Sequence, residues 1–364
     1  MRSPTIKDVA SLAGVSTATV SRVLSPPGAP VAANTRLRVH EAAGQLGYEP
    51  SAQPRNLRRR RLSVFGVVVT DIENPFYTSV VRACEREAER LGYRVLLVNT
   101  DENAHKEAGA LKTLAAERVA GVILASTGLR NQEVAPLLRL GIPVVAIDNR
   151  VQGLDLDLVT VDNRTGARVA IEHLVALGHT QIAMICGPRA ATSVFDRFLG
   201  YRDAMRSAGL RGLRDLVVES DLREAKAHDV TLALLERAEP PTAIFAVNNM
   251  TTVGVLKAAR RLGVRMPDEL SVVGFDDLTF AELFVPPLTV VAQPTQEIGR
   301  QAASLLESRL RFPEAPKQHV ELAAQLVLRG STSPRLTSAP EVAGRVPETE
   351  RNWHREARRH QVEA

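Results

Sequence analysis

Apolar residues recur every three or four positions at the start of the chain, which is the spacing of one face of an α-helix. The apolar stripe of this first helix consists of Ile6, Val9, Ala10 and Ala13. Thr5 lies three residues before Asp8, an arrangement that predicts a capping box at the start of the helix. Gly14 follows and permits the left-handed backbone of a tight turn.

A second short helix is predicted after this turn, because Ser16 is a favourable N-cap residue and apolar positions follow it. The residues that would face the first helix are Val20, Val23 and Leu24. Its outer face carries Thr17, Ala18, Ser21 and Arg22. Two short helices joined by a glycine turn are typical of a helix-turn-helix, whose second helix enters the major groove of DNA. An ordinary amphipathic helix pair at the edge of a larger core is the alternative.

A third helix is predicted from Thr35 to Leu46, after a proline- and glycine-rich loop at residues 25–30. Its apolar residues, which would complete a three-helix core, are Leu37, Val39, Ala42, Ala43 and Leu46. Gly47 ends the helix.

From Val64 onward, β-branched runs alternate with amphipathic segments. The candidate strands are Val64–Val69, Val95–Val98, Gly121–Leu124, Val144–Ile147, Ile182–Ile185, Ala243–Ala246 and Val272–Gly274. The candidate helices include Tyr77–Leu91, Glu107–Ala115, Thr165–Leu177, Arg197–Ala208, Lys226–Arg237 and Thr251–Leu262. This alternation predicts an α/β fold with a doubly wound parallel sheet. The length suits two lobes, divided near residue 160 and again near Gln293, with a ligand cleft between them.

The composition is that of an ordinary globular protein, with 45% hydrophobic and 24% charged residues among 364. Cys84 and Cys186 are the only cysteines, too few for a disulfide framework or a thiolate zinc site. We find no signal-peptide pattern and no apolar run near the roughly 18 residues of a membrane span. We therefore expect a cytoplasmic protein without membrane association, metal or cofactor.

Positive charge is concentrated at the start of the chain. Residues 1–62 contain ten Lys and Arg against three Asp and Glu, whereas the remaining residues contain 36 against 38. A basic head on a nearly neutral body is the electrostatic pattern of a nucleic-acid-binding module joined to a domain that binds another ligand.

The segment T-I-K-D-V-A-x-x-A-G-V-S-x-A-T-V-S-R-V-L, from Thr5 to Leu24, resembles the DNA-binding head of the LacI/GalR family of bacterial regulators. The third helix continues the resemblance with Thr35, Arg36, Arg38, Val39, Ala42 and Leu46-Gly47-Tyr48. The body from Val64 resembles the periplasmic sugar-binding proteins, so the likeness runs from about residue 4 to about residue 332. It implies a homodimeric repressor that binds a pseudo-palindromic double-stranded DNA operator.

The polar segment from Pro50 to Leu62 would by itself be a solvated linker. The resemblance implies instead a hinge that becomes helical on operator DNA. In that role Leu57 wedges between base pairs of the minor groove beside Arg55, and Arg58–Arg61 lie against phosphates. Pro54 replaces the alanine usual in the family, and a proline predicts a hinge helix that starts later or is shorter. The candidate DNA-binding residues are Thr5, Ser16, Thr17, Ala18, Thr19, Ser21, Arg22, Arg55, Leu57 and Arg58.

Polar and aromatic residues follow several strands of the body, where ligands bind in open α/β sheets. The resemblance places seven of them around an effector: Asn74, Phe76, Asp148, Arg197, Asn248, Asp276 and Gln293. Their chemistry suits a polyol, because carboxylates accept from paired hydroxyls, a guanidinium donates in a fork and an aromatic ring offers an apolar face. Singly, each could be a turn residue, a helix cap or a solvated charge.

Two departures from the family pattern bear on the effector. Leu222 lies where relatives often carry a stacking aromatic residue, and Asn249 replaces the usual aspartate. We expect a sugar, while a nucleoside or another small metabolite stays open.

The second hypothesis is a cytoplasmic sugar-binding module or a hydrolase with a non-functional head. We find no glycine-rich phosphate loop and no HExxH, CxxC or GxSxG motif, and we predict no catalytic residue. His173 and His179 are interpreted as structural. Asp71 and Glu73 could pair as acid and base, but nothing would fix them in position.

We accordingly divide the chain into four parts: a helix-turn-helix domain at 1–49, a hinge at 50–62, an effector-binding and dimerisation domain at 63–330, and a tail at 331–364. The tail is polar and punctuated by prolines, which predicts disorder. No function is assigned to it.

Overall fold

A computed structural model describes residues 4–24, 31–48, 63–127, 131–210, 215–278 and 280–335. The chain divides into two compact units, Met1–Leu62 and Ser63–Ala364, which are described separately. The predicted hinge and most of the predicted tail lie outside the described residues.

Among its described residues, 4–24 and 31–48, the first unit contains three helices: α1 (Ile6–Ala13), α2 (Thr17–Val23) and α3 (Ala33–Leu46). The buried residues at their centre are Val9, Ala10, Ala13, Val20, Val23, Val39, Ala42 and Ala43. One predicted core residue is wrong: Leu37 is 58% exposed. Leu37 lies two positions before Val39, about 200° around the helix, and therefore on the opposite face from the stripe that Val39, Ala42 and Ala43 form.

The second unit has two lobes, each built on a six-stranded sheet. The first sheet has the order β11-β5-β4-β3-β1-β2 and all of its pairings are parallel. Its strands are β1 (Val64–Val69), β2 (Arg94–Asn99), β3 (Gly121–Ala125), β4 (Val144–Ile147), β5 (Asp157–Val161) and β11 (His319–Leu322). Its helices are α4 (Pro75–Arg90), α5 (Ala104–Ala116), α6 (Asn131–Arg139) and α11 (Thr295–Arg311).

The second sheet has the order β12-β10-β9-β8-β6-β7, in which only the β10–β12 pairing is antiparallel. Its strands are β6 (Ile182–Cys186), β7 (Val217–Glu219), β8 (Ala243–Ala246), β9 (Ser271–Phe275), β10 (Thr289–Ala292) and β12 (Gln325–Val327). Its helices are α7 (Asn163–Ala176), α8 (Thr192–Ser207), α9 (Glu224–Leu235) and α10 (Asn249–Leu262), and a short 3-10 helix spans Ala281–Leu283. The α/β prediction is confirmed, with two sheets of parallel character.

The chain crosses between the lobes three times rather than twice. It crosses at residue 162, at residues 293–294 and again at residues 323–324, between β11 and β12. The first two crossings agree with the predicted divisions. The third was not predicted because β11 and β12 are short edge strands without a continuous apolar run.

The predicted tail starts too early in the sequence. Residues 331–335 pack on the second lobe, where the Ser331 hydroxyl donates to the Val272 carbonyl at 2.6 Å and the Arg335 N–H donates to the Leu177 carbonyl at 2.8 Å. The buried His179 side chain lies beside them, with its ring nitrogens 2.9 Å from the Thr242 hydroxyl and 3.0 Å from the Ser271 hydroxyl. Polar residues at this point satisfy buried partners, so composition alone misplaces the boundary.

Across the described ranges, no helix is both long and apolar enough to cross a membrane.

Candidate DNA-binding face and effector cavity

The head positions its second helix through local caps. The Asp8 carboxylate accepts from the backbone N–H of Thr5 at 2.7 Å, which confirms the predicted start of α1. Gly14 has a φ of +63°, the left-handed value expected for the turn. The Ser16 hydroxyl accepts from the N–H of Thr19 at 3.1 Å and thereby caps α2.

The outer face of α2 is exposed as its sequence predicts. Its exposed residues are Thr17, Ala18, Ser21 and Arg22. Val20 and Val23 point the other way, into the three-helix core. Of the remaining DNA-contact candidates, Ser16 is exposed, and Thr5 and Thr19 are half-buried. Arg55, Leu57 and Arg58 lie outside the described residues, as does Pro54.

All seven residues predicted to surround an effector line a single cavity between the two lobes. The first lobe contributes Asn74, Phe76 and Asp148, the second contributes Arg197, Asn248 and Asp276, and Gln293 lies in a crossing segment. The volume of this cavity that a water molecule can occupy is about 40 Å³. Since one water molecule needs about 10–15 Å³ by the same measure, this conformation admits a few waters and no sugar ring.

Arg197 is held rigidly at the floor of the cavity. It is 4% exposed, and its Nε donates to Asn163 Oδ1 at 2.7 Å. Its Nη1 donates to the Val247 carbonyl at 2.5 Å, and its guanidinium lies 3.7 Å from the centre of the Phe275 ring. A guanidinium fixed in this way by hydrogen bonds and stacking can offer its remaining N–H groups to a ligand without rotamer loss.

A glycine brings together the two helices that hold this arginine. A Cβ on Gly200 of α8 would lie 2.1 Å from the Arg164 carbonyl oxygen of α7. Only a residue without a side chain permits this approach, which places Arg197 of α8 against Asn163 of α7.

Two carboxyl groups flank Arg197 from opposite lobes. Asp148 follows β4 with a φ of +62° and Asp276 follows β9 with a φ of +75°, a conformation that Asp tolerates better than most residues. Burial raises the pKa of both carboxyls, and the Arg197 charge opposes that rise. Tyr77 donates to Asp148 Oδ2 at 3.1 Å, and Gln293 Nε2 donates to Asp276 Oδ1 at 2.5 Å.

The two predicted asparagines are helix caps as well as lining residues. Asn74 Oδ1 accepts from the Phe76 N–H at 3.0 Å at the start of α4, and Asn248 Oδ1 accepts from the Thr251 N–H at 2.8 Å at the start of α10. Asn248 also donates to the Leu222 carbonyl at 3.2 Å. The cap interpretation and the cavity interpretation therefore hold for the same side chains.

Part of the cavity wall was not predicted from the sequence. The further lining residues are Tyr77, Glu102, Thr127, Asn149, Ala191, Ser193 and Val194, and Leu222 lines it too. Glu102 and Thr127 follow β2 and β3, so the rule about strand ends would have found them had it been applied to every strand. Tyr77 and Asn149 are neighbours of predicted residues. Ser193 carried no signal of its own.

Hydrogen bonds between the lobes close the cleft. Asn149 Oδ1 accepts from the N–H and from the hydroxyl of Ser193, each at 3.0 Å. Asn249 Nδ2 donates to Asn74 Oδ1 at 3.3 Å. Arg223 donates to the Asp101 carbonyl at 2.8 Å. A ligand of sugar size therefore requires that these contacts open.

Among the described residues, no group of three or more His, Cys, Asp or Glu side chains is placed to hold a metal ion.

Two family comparisons match the two parts of the chain. Residues 5–51 match the family described as bacterial regulatory proteins, lacI family. Residues 171–332 match the periplasmic binding protein-like domain.

Whole-length relatives are also found. The chain is 37% identical over 328 residues to the ribose operon repressor of Halalkalibacterium halodurans, a match that covers 90% of this chain and 97% of the relative. The solved structure of a transcriptional regulator CelR-cellobiose complex is 32% identical, with a TM-score of 0.69 and coverage of 90% of this chain and 99% of that one. The lac repressor dimer bound to operator and the anti-inducer ONPF is 28% identical, with a TM-score of 0.78 and coverage of 91% and 100%.

Proposed function

The chain belongs to the LacI family of bacterial transcriptional regulators, and from this premise we propose that it is a homodimeric repressor whose DNA binding is controlled by a sugar held between its lobes. The resemblance seen in the sequence is thereby confirmed at the level of the family. A helix-turn-helix covers one half-site, so a dimer binds a pseudo-palindromic operator.

The main support for the proposal is that the predicted effector-binding residues lie around one cavity. Seven residues that follow six different strands, over a span from Asn74 to Gln293, meet around one cavity that holds an arginine and two aspartates. Relatives support the same conclusion, because one is a ribose operon repressor and another was solved in complex with cellobiose.

The cavity chemistry fits a polyol. Asp148 and Asp276 would accept hydrogen bonds from sugar hydroxyls, Arg197 would donate to them, and Phe76 would cover an apolar face of the ring. A sugar that binds the closed lobes more tightly than the open lobes shifts the equilibrium toward the closed conformation, by the difference between its two binding free energies.

On the DNA side, Thr17, Ala18 and Arg22 would read base edges in the major groove, with Arg22 paired to a guanine. Leu57 of the hinge would wedge into the minor groove, beside Arg55 and Arg58. Lobe closure then couples to DNA binding by changing whether the hinge segments of the two subunits can fold together.

We further propose that the protein acts in the cytoplasm and catalyses no reaction. The relatives compared with it are regulators. In the cavity, the carboxyl groups of Asp148 and Asp276 are tied to Tyr77, Gln293 and Arg197, an arrangement for holding hydroxyls.

The test combines DNA selection with a ligand screen on the full-length protein. Selection from random duplex DNA at physiological salt should enrich a pseudo-palindromic site. A thermal-shift screen of pentoses, hexoses and nucleosides should find a ligand that raises the melting temperature and changes affinity for that site. No preference for any palindromic duplex over random DNA, with or without these ligands, would contradict the proposal.

A further inference from the structure

Glu102 is an acidic residue of the cavity wall that the polyol-binding scheme above does not use. It lies in the loop between β2 and α5 and lines the same cavity as Asp148, Arg197 and Asp276. A charged residue at this position can influence which ligands the cavity binds.

The loop holds Glu102 in place through an unusual backbone. Asp101 and Glu102 have φ values of +54° and +55°, consecutive left-handed conformations that non-glycine residues adopt only at a cost. The Glu102 N–H donates to the Thr70 carbonyl at 2.8 Å, and Asn99 Nδ2 donates to Asp101 Oδ1 at 2.6 Å. Asn103 then caps α5, so both sides of Glu102 are anchored.

The second lobe fixes the same loop from across the cleft. Arg223 of the second lobe donates to the Asp101 carbonyl at 2.8 Å. In this closed conformation, the loop that carries Glu102 is therefore held from both lobes.

The charges on the cavity wall are unbalanced. Glu102, Asp148 and Asp276 are acidic, and Arg197 is the only basic side chain among the lining residues. The positive charge of Arg197 acts on both Asp148 and Asp276, so one cation is set against three carboxyl groups. An anionic group on a ligand would meet like charges in a site of low dielectric, where their repulsion is strong.

We propose that Glu102 sets the charge selectivity of this cavity, which admits neutral polyhydroxyl effectors and excludes phosphorylated or carboxylated sugars. This inference rests on the proposed function, and it narrows the effector to an uncharged sugar.

The titration of Glu102 sets the pH range in which it repels an anion, because only its ionised carboxylate carries charge. Burial, and then the negative charges of Asp148 and Asp71, raise its pKa from 4.5 to about 7, while Arg223 opposes the rise. An open cleft would return the carboxyl to its solvated pKa, so closure takes up a proton between these two values. Closure around a neutral sugar should therefore weaken as pH rises from about 5 to about 7. Asp148 and Asp276 are present in both the wild type and a Glu102 variant. The difference in the pH dependence of sugar binding between the two proteins therefore comes from Glu102.

The experiment is isothermal titration of the full-length protein with two matched pairs of probes, D-ribose with D-ribose 5-phosphate and D-glucose with D-glucose 6-phosphate. For the pair that binds, we expect that at about pH 8, where the Glu102 carboxyl is ionised, the neutral sugar binds wild type at least about 100-fold more tightly than its phosphate. Glu102→Gln should narrow that ratio at least about tenfold and reduce the pH dependence of neutral-sugar binding, leaving the part that comes from Asp148 and Asp276. Glu117→Gln, an exposed acid of the same lobe outside the cavity, should leave both unchanged.

The outcomes separate the two claims. A phosphate ester that binds wild type as tightly as its parent sugar, or a selectivity ratio unchanged in Glu102→Gln, would overturn the role of Glu102 while the sugar-controlled repressor stands. If neither the neutral sugars nor their phosphate esters bind or alter DNA affinity, the proposed effector class is wrong and so is this inference.

Discussion

The recognition face of α2 and the effector cavity use arginine in opposite ways. Arg22 is exposed at the surface of a small helical unit whose core is formed by other residues. Arg197 is buried, bonded to two partners and stacked on Phe275. The first arginine is placed by the helix alone, whereas the second is placed by the packing of a whole lobe.

This contrast shows how the two functions can change independently. Residues on an exposed helix face can be exchanged at little cost in folding free energy, so DNA specificity is open to variation. Residues of a buried polar cluster depend on one another, so a change in the cavity alters stability as well as binding.

Replacing the buried arginine should have the largest effect. Arg197→Met leaves Asp148 and Asp276 facing each other without their shared cation, which should cost about 3 kcal/mol of unfolding free energy. It should also abolish measurable effector binding. Urea denaturation and calorimetric titration measure the two losses.

Arg206→Met on the exposed side of the same helix is the matched control and should leave both quantities unchanged. Normal effector affinity in Arg197→Met would show that the cavity does not depend on this side chain.

A methyl group added between α7 and α8 should displace Arg197 from its hydrogen-bond partner Asn163 without changing Arg197 itself. Gly200→Ala places a Cβ against the Arg164 carbonyl, and the forced separation should destabilise the protein by about 2 kcal/mol and weaken effector binding. Gly109→Ala, in the exposed part of α5 with open space around it, should instead stabilise by about 0.5 kcal/mol. Thermal denaturation of both variants tests this prediction. Equal melting temperatures would contradict the close approach of α7 and α8 at Gly200.

Replacing the exposed Arg22 should weaken DNA binding and leave stability and effector binding unchanged. Arg22→Ala should weaken binding to the operator by about 1–3 kcal/mol, with unfolding free energy changed by less than about 0.5 kcal/mol. Effector affinity should stay as in wild type. Gel-shift titration against the selected site and against random DNA measures the effect, and an unchanged operator affinity would remove Arg22 from the recognition set.

Much of the head could be predicted because its signals are local. The caps at Thr5 and Ser16 and the turn at Gly14 are each formed by residues within a few positions of one another. Leu37 was misplaced because it is apolar and lies close in sequence to the stripe, while its angle around the helix turns it outward.

In the body, strand position could be predicted better than strand pairing. Three strands, β1, β4 and β8, have the predicted bounds, since buried parallel strands have continuous apolar runs. Five strands were not predicted, namely β5, β7, β10, β11 and β12, and the third crossing was missed together with the last two. Ser193 reaches the cavity through its bond to Asn149 in the other lobe, a contact that only the assembled fold reveals.

Gln293 belongs both to the cavity and to the connection between the lobes. It lines the ligand space, donates to Asp276 and lies in one of the three short segments through which the chain passes from lobe to lobe. These three segments tether the lobes covalently, so a change in the angle between the lobes must be absorbed by these segments or by residues next to them. A molecule that touches Gln293 therefore contacts one of these tethers directly.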